Sequence, residues 1–143
     1  MGSLYRQRPT ISMEAEIIRA LGGRRAFGAR PIDLLAEVER GLPVKAYVAP
    51  AKTLALTSAE QDRLLRVNDR TRLDSAVSAR LIRIARVLAL TTEVLENRAH
   101  AIAWLREPSD VLSGRTPLQV ISGELGAEKV TDLLNQMEYG VYS

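Results

Sequence analysis

The stretch SAVSARLIRIARVLALTTEVL, residues 75–95, decides the fold, because it carries the longest helical periodicity in the chain. The spacing predicts a helix from about Ser75 to Leu95. Three arginines, at positions 80, 83 and 86, lie to one side of its apolar face. Sustained alternation typical of a strand occurs nowhere in the sequence, so we predict an all-α fold. The residues predicted to form the buried face are Leu81, Ile84, Ala85, Leu88 and Leu95.

The residues before position 43 predict two shorter helices. Ser12 can cap the first helix, and the Gly22-Gly23 pair can end it. The second helix is predicted to begin with Pro31 as its first residue and to stop at Gly41. The apolar residues expected to face the core are Ile17, Ile18 and Leu21 in the first helix, and Leu34, Leu35 and Val38 in the second.

Two more helices are predicted between residues 43 and 75. One runs from Pro43 toward Leu56 and is kinked or split at Pro50, because proline in a helix interior has no amide hydrogen to donate. The next begins at TSAEQ, residues 57–61, which contains two overlapping capping boxes. These boxes pair Thr57 with Glu60 and Ser58 with Gln61, and the helix is predicted to bury Leu64 and Leu65.

Three helices are predicted after residue 95. The first spans about Arg98 to Arg106 and is ended by Pro108. Thr116 caps the second, and Gly126 marks the turn into the third. The residues predicted to face the core are Ala101, Trp104 and Leu105, then Leu118 and Ile121, then Val130, Leu133, Leu134 and Met137.

Composition narrows the range of functions. The 143 residues include no cysteine, which excludes disulfides and thiolate chemistry, and one histidine, His100, which we expect at or near the surface. No apolar run approaches the ~20 residues needed to cross a bilayer, and no secretory signal is recognisable, so we expect a cytoplasmic protein. The sequence has no phosphate-binding loop and no metal-ligand motif. We therefore predict no catalytic residue, no metal, no cofactor and no enzymatic activity.

Charge is distributed unevenly along the chain. Residues 1–86 contain sixteen Lys or Arg and nine Asp or Glu, a balance of +7, whereas residues 87–143 contain four and eight, a balance of −4. Segment 43–86 has helices of the size found in a helix-turn-helix, in which arginines contact DNA phosphates. The alternative is that these arginines are solvated or paired with interleaved acids. The candidate DNA-binding residues are Arg63, Arg66, Arg70 and Arg72.

The carboxyl end suggests a different function. Gly140 lies where a left-handed cap would end the last helix, and Tyr139, Val141 and Tyr142 surround it in a chain that is poor in aromatic residues. A tyrosine inserted into a partner's pocket brings a large apolar area and a polar tip. The terminal carboxylate of Ser143 could pair with an arginine of the partner. The alternative is an ordinary frayed terminus.

Four blocks of the sequence resemble the toxin-binding domain of Xre/MbcA/ParS-type antitoxins, the partners of RES-domain toxins. A weaker resemblance, notably ERGLPV at 39–44, links residues 33–72 to the Xre-like helix-turn-helix that precedes that domain. We therefore expect a flexible N-terminus (1–12), a helix-turn-helix domain (13–75) and a toxin-binding domain (76–143). The four blocks are RLIRIARV at 80–87, AIAWLREP at 101–108, LSGRTPL at 112–118 and EYGVYS at 138–143.

This resemblance implies a type II antitoxin that neutralises a cognate RES-type toxin. Such toxins have an ADP-ribosyltransferase-like fold and consume NAD, and the antitoxin's carboxyl end plugs their NAD-binding cleft. That role would fall on Tyr139, Gly140, Val141, Tyr142 and Ser143, with Arg115, Thr116 and Pro117 shaping the neighbouring surface. The resemblance leaves open promoter autoregulation and a homodimer within a hetero-oligomer.

One departure from the family pattern concerns DNA. Family members place a basic stretch after an Arg-Thr pair, whereas Arg70-Thr71 is followed here by Arg72-Leu73-Asp74. Together with Pro50, this shortening predicts strong toxin neutralisation with weak or absent independent binding of operator DNA. The competing hypothesis is a DNA-binding transcriptional regulator whose C-terminal domain serves dimerisation.

Overall fold

The computed structural model describes residues 12–64 and 72–139 of the chain, and all regular elements within these ranges are helical. This confirms the predicted all-α class. A bridge between Pro43 and Arg72 belongs to no sheet. None of the described helices is both long and apolar enough to cross a membrane. In chain order the helices are α1 (Met13–Ala20), α2 (Arg24–Phe27), α3 (Leu34–Arg40), α4 (Val48–Thr53), α5 (Ser58–Leu64), α6 (Ser75–Leu95), α7 (Arg98–Leu105), α8 (Pro117–Val120) and α9 (Glu124–Tyr139).

Helix α6 has the bounds that its periodicity predicts. The side chain of Asp74 caps its first turn by accepting a hydrogen bond from the Val77 amide at 2.8 Å. Glu96 ends it in the left-handed conformation, with φ of +57°. Leu95 is only half-buried, unlike the rest of the predicted stripe. The buried side chains are Val77, Ser78, Leu81, Ile84, Ala85, Val87, Leu88 and Thr91.

Helices from both sides of the sequence pack on α6. Helices α1 and α3 contact it from the N-terminal part of the chain, and α7 and α9 contact it from the C-terminal part. One continuous apolar core runs from Ile17 in α1 to Leu134 in α9. The two predicted lobes therefore share a core built on α6, while their predicted boundary at residue 75 remains a prediction.

The start of α3 differs from its prediction. Asp33 caps this helix by accepting from the amides of Leu35 and Ala36 at 3.1 and 3.3 Å, so Pro31 precedes the helix instead of opening it. Leu35 is 71% exposed, and its predicted place on the core face is wrong. Glu37 is buried in its stead, beside Leu34. The first prediction, Ser12 as the cap of α1, is confirmed by a bond from the Ala15 amide at 3.1 Å.

The helix predicted after Pro43 is split into two elements, but the split does not lie at Pro50. A 3₁₀ turn at Val44–Tyr47 leads directly into α4, and Pro50 lies in the first turn of α4, where an amide hydrogen has no helical partner. The capping box of Thr57 and Glu60 forms in both directions, at 3.0 and 3.1 Å. Gln61 instead bonds the Leu56 carbonyl and the Tyr47 hydroxyl. The predicted burial of Leu64 and Leu65 lies outside the described side chains.

In the last two helices, one predicted cap is confirmed and one predicted turn is wrong. Thr116 and Gln119 form a capping box, with Pro117 as the first residue of α8. Gly126 lies inside α9 and not at its start. A Cβ atom at that position would lie 2.0 Å from the Val120 carbonyl oxygen, so glycine permits the close approach of α8 and α9. Met137 is 38% exposed, contrary to its predicted burial.

Candidate interaction surface

The turn between α7 and α8 is closed by its own backbone. The Ser109 amide donates to the Arg115 carbonyl at 3.0 Å, and the Gly114 amide donates to the Ser109 carbonyl at 2.8 Å. Ser113 and Gly114 both have left-handed φ, +60° and +81°. Because these bonds fix the turn before any partner arrives, little conformational entropy would be lost when a partner binds it.

Val111 lies in this closed turn and is 63% exposed, whereas its neighbour Leu112 is buried in the core at 2%. Leu112 therefore anchors the turn, and Val111 presents an apolar side chain to solvent. Sequence reasoning did not select Val111. The signal that could have found it is an apolar pair between Pro108 and the Ser113-Gly114 turn, since one of two adjacent residues in a short turn faces outward.

The three neighbouring residues predicted to shape the surface have different environments. Arg115 is exposed, and its Nε donates to the Leu112 carbonyl at 2.9 Å, which leaves its terminal nitrogens for a partner. The Thr116 hydroxyl is occupied in the capping box, where it accepts from the Gln119 amide at 3.1 Å. Pro117 is buried. Of the three, Arg115 alone presents free polar groups at the surface.

Helix α9 ends at Tyr139, the first residue of the predicted tail. Val130 and Leu134 are fully buried against the core, so one face of this 16-residue helix is fixed. Tyr139 is the last residue of α9 and is 67% exposed. The helix therefore continues through the first residue of the segment predicted to enter a partner's pocket. Gly140, Val141, Tyr142 and Ser143 lie outside the described residues.

Arg106 joins the C-terminal helices to the N-terminal ones. Its guanidinium donates to the carbonyls of Leu54 and Ala55, just past α4, at 2.8 and 3.2 Å. It also forms a two-nitrogen contact with the Glu60 carboxylate, with both distances 3.1 Å. Hydrogen bonds from Arg106 and from the Thr57 amide lower the pKa of Glu60. The end of α7, just before the turn that carries Val111, is therefore tied to the capped start of α5.

The predicted DNA-binding arginines are only partly described. Arg63 is exposed in the last turn of α5, whereas Arg66 and Arg70 lie outside the described residues. Arg72 turns inward: its guanidinium donates to the Gly41 carbonyl at 2.8 Å and lies 3.5 Å from the Glu37 carboxylate. One terminal nitrogen of Arg72 is therefore used inside the protein.

Glu37 is the centre of a charged cluster that sequence reasoning missed. Its side chain is 1% exposed and also binds Arg30 at 3.0 Å and Arg40, which lies one helical turn away. Burial acts to raise the pKa of this carboxyl, but hydrogen bonds and positive charge from Arg30 and Arg40 outweigh it, so the pKa is lowered. Arg72 and Glu37 are 35 positions apart, and no local pattern connects them.

Catalytic features are not apparent in the described part of the chain. Residues 12–64 and 72–139 contain no group of three His, Cys, Asp or Glu side chains arranged to hold a metal ion. His100 is exposed on α7, as expected, and its backbone amide is bound by the cap residue Asn97.

Comparison with known proteins shows similarity to antitoxins. Residues 90–140 match the model of the "Antitoxin Xre/MbcA/ParS C-terminal toxin-binding domain". A protein named Antitoxin Xre from Pseudomonas putida (strain KT2440) is 31% identical over 105 residues, which cover 71% of this chain and 60% of that protein. Another Antitoxin Xre, from Yersinia enterocolitica serotype O:8, is 33% identical over 67 residues, which cover 46% of this chain and 45% of that protein. The matches thus span less than two thirds of either relative.

Proposed function

We propose that this chain, which belongs to the Xre/MbcA/ParS-type antitoxin family, neutralises a cognate RES-type toxin in the cytoplasm by occupying that toxin's NAD-binding cleft with its carboxyl end. It acts as a binding protein without enzymatic activity of its own. Residues 139–143 form the inserted segment, and the turn at 109–115 contacts the toxin beside the cleft.

The observation that carries this proposal is the position of Tyr139. It stands 67% exposed at the end of a helix whose other face is fixed by the fully buried Val130 and Leu134. A tyrosine on a fixed helix end loses little rotamer freedom when it enters a pocket and brings both apolar area and a hydroxyl. The end of α9 therefore presents the Tyr139 ring to solvent.

The chemistry of residues 139–143 suits a nucleotide cleft. Two tyrosine rings can stack where a nicotinamide or adenine ring would bind, and the terminal carboxylate can pair with cationic groups that receive the pyrophosphate. Occupation of the cleft excludes NAD sterically, so inhibition should be competitive with NAD.

The closed turn supports a second contact region. Val111 offers an apolar side chain and Arg115 offers free guanidinium nitrogens, on a backbone that is already fixed. Arginine is enriched in interface centres, and burial of the exposed Val111 side chain would add apolar contact area. This region would add affinity without entering the cleft.

The test is protection from the toxin by the full chain and by a chain that ends at Glu138. We expect the shortened chain to keep its helical circular dichroism and melting temperature but to lose inhibition of NAD consumption by at least about a hundredfold, since hot-spot tyrosines and a paired carboxylate are lost together. Leu125→Ala is the matched control, because Leu125 is 64% exposed at the opposite end of α9. Full inhibition by the shortened chain would refute the proposal.

A DNA-binding regulator is the second candidate, favoured by the balance of +7 over residues 1–86 and by the exposed Arg63. It predicts salt-sensitive binding of the free protein to its own promoter and repression that survives loss of residues 139–143. We expect weak binding at most, because Arg72 is engaged with Glu37 and Gly41. Mobility-shift assays with and without toxin distinguish the two candidates.

A further inference from the structure

A groove of about 540 Å³ opens between α1, α4 and α6, far in sequence from the residues proposed to contact the toxin. Small and apolar residues line much of it: Ala20 and Gly22 near the end of α1, Ala49 on α4, and Leu88 and Ala89 on α6. The space exists because these side chains are too short to fill it. Its volume lies within the range of small-molecule sites in proteins.

The charged residues of this groove leave positive charge unmatched. Glu16 is paired with Arg19 at 3.1 Å, and Glu93 also takes part in an interaction. Arg25 and Arg98 are exposed at the groove and make no hydrogen bond or ion pair with any residue in the described ranges. Two free guanidinium groups beside an apolar floor attract an anion more strongly than the same groups would in open solvent.

The groove is a poor match for a protein partner. Met13, 39% exposed, is the one exposed large apolar side chain that lines it among the described residues. The others with high exposure, including Leu35 and Val48, lie elsewhere. A stable protein interface buries roughly 1,200 Å² or more around an apolar centre. A concave site with a small apolar floor and two cations instead suits a small organic anion.

We propose that this groove binds a small amphipathic anion, with a carboxylate or phosphate head held by Arg25 and Arg98 and an apolar body laid on Ala49, Leu88 and Ala89. Charge-assisted bonds from guanidinium groups fix the head, and burial of the body supplies the remaining affinity. Such a ligand would touch α2 and α4 on one side and α6 and α7 on the other. Its binding would therefore stabilise the contact between the N-terminal helices and α6.

Isothermal titration of the full chain with decanoate, below its micellar range, tests the proposal. We expect saturable binding of one decanoate per chain and a rise in melting temperature. The double variant Arg25→Gln/Arg98→Gln should bind at least about tenfold more weakly, because both charge-assisted contacts are lost. Arg24→Gln/Arg86→Gln is the matched control, since both of these arginines are exposed and neither lines the groove.

Measurements with three other ligands and with one further variant make the result decisive. Inorganic phosphate and 1-decanol each supply half of the ligand and should bind more weakly than decanoate, while decyl phosphate distinguishes a phosphate head from a carboxylate head. Ala89→Leu should narrow the groove where the apolar body lies and weaken binding while circular dichroism stays unchanged. Equal decanoate affinity in wild type and Arg25→Gln/Arg98→Gln would overturn the proposal. So would a concentration-dependent dimer that this variant abolishes, which would assign the groove to a second copy of the chain. Toxin inhibition is a separate readout, because none of the described residues proposed to contact the toxin lines the groove.

Discussion

The helices before α6 and those after it use polar side chains in different ways. Before α6, Arg30, Arg40 and Arg72 converge on one buried carboxylate, that of Glu37, so arginines that are scattered in the sequence balance charge inside the fold. After α6, the backbone-closed turn and the capping box at Thr116 fix short elements and leave apolar side chains at the surface. A count of arginines therefore overstates free positive charge in the first region, while the second keeps apolar groups available to a partner.

Replacement of Glu37 by alanine should cause the largest loss of stability in the first region. The variant leaves three guanidinium groups close together without their shared counter-ion, and we expect unfolding free energy to fall by about 3 kcal/mol. Urea denaturation measures this change. Glu39→Ala is the control, because Glu39 is the exposed acid two residues away and should cost under about 0.5 kcal/mol. Equal losses in the two variants would show that the cluster contributes no specific stability.

Gly126→Ala tests how tightly the second region is built. A Cβ at this position would lie 2.0 Å from the Val120 carbonyl oxygen, a backbone atom that cannot rotate away, so α8 and α9 must separate. We expect a loss of about 2 kcal/mol of stability together with weaker toxin inhibition. At Gly123 the same added atom would lie 3.7 Å from that oxygen, which is an ordinary contact, so Gly123→Ala is the control. A melting temperature unchanged by Gly126→Ala would contradict the packing described for these helices.

Val111→Ser sharpens the functional half of the comparison. Because Val111 is 63% exposed, the change should leave the melting temperature within a degree or two of wild type. If the turn contacts the toxin, the affinity of the complex should fall by about 1 kcal/mol, measurable by surface plasmon resonance. Val48→Ser is the control, since Val48 is 53% exposed on α4, away from the proposed contact. Identical affinities for both variants would exclude the turn from the interface.

Local signals in the sequence predict much of the helical structure. The bounds of α6 follow from its apolar spacing, and the caps at Ser12, Thr57 and Thr116 follow from short motifs whose hydrogen bonds form within four residues. Helix α3 starts after Asp33 and not at Pro31. The Asp33 side chain accepts hydrogen bonds from two backbone amides, whereas a proline side chain has no acceptor. Competition of this kind is visible only when both candidate starts are weighed together.

The features that escaped prediction depend on contacts between distant residues. Burial of Glu37 needs Arg72, which is 35 positions away, and the close approach at Gly126 needs the carbonyl of Val120 across a turn. The candidate surface was predicted in part: Arg115 and Tyr139 are exposed, whereas Pro117 is buried and Val111 was missed. Exposure of a single side chain in a turn is decided by tertiary packing, which neither periodicity nor capping motifs encode.

The smallest expected effect concerns the loss of stability in acid. It involves Glu37 in the first region and Glu60, which Arg106 links to the C-terminal helices. The pKa values of Glu37 and Glu60 are both lowered in the folded protein, so each carboxylate adds stability above the unfolded pKa of about 4.3 and loses it as the pH falls through the folded value. Urea midpoints measured between pH 7 and pH 3 should therefore fall less steeply in Glu37→Gln and in Glu60→Gln than in wild type. At Glu37, burial opposes the effect of Arg30 and Arg40, whereas at Glu60 the hydrogen bond from Arg106 is the largest influence on the pKa. An acid slope unchanged in Glu60→Gln would mean that folding does not lower the pKa of Glu60.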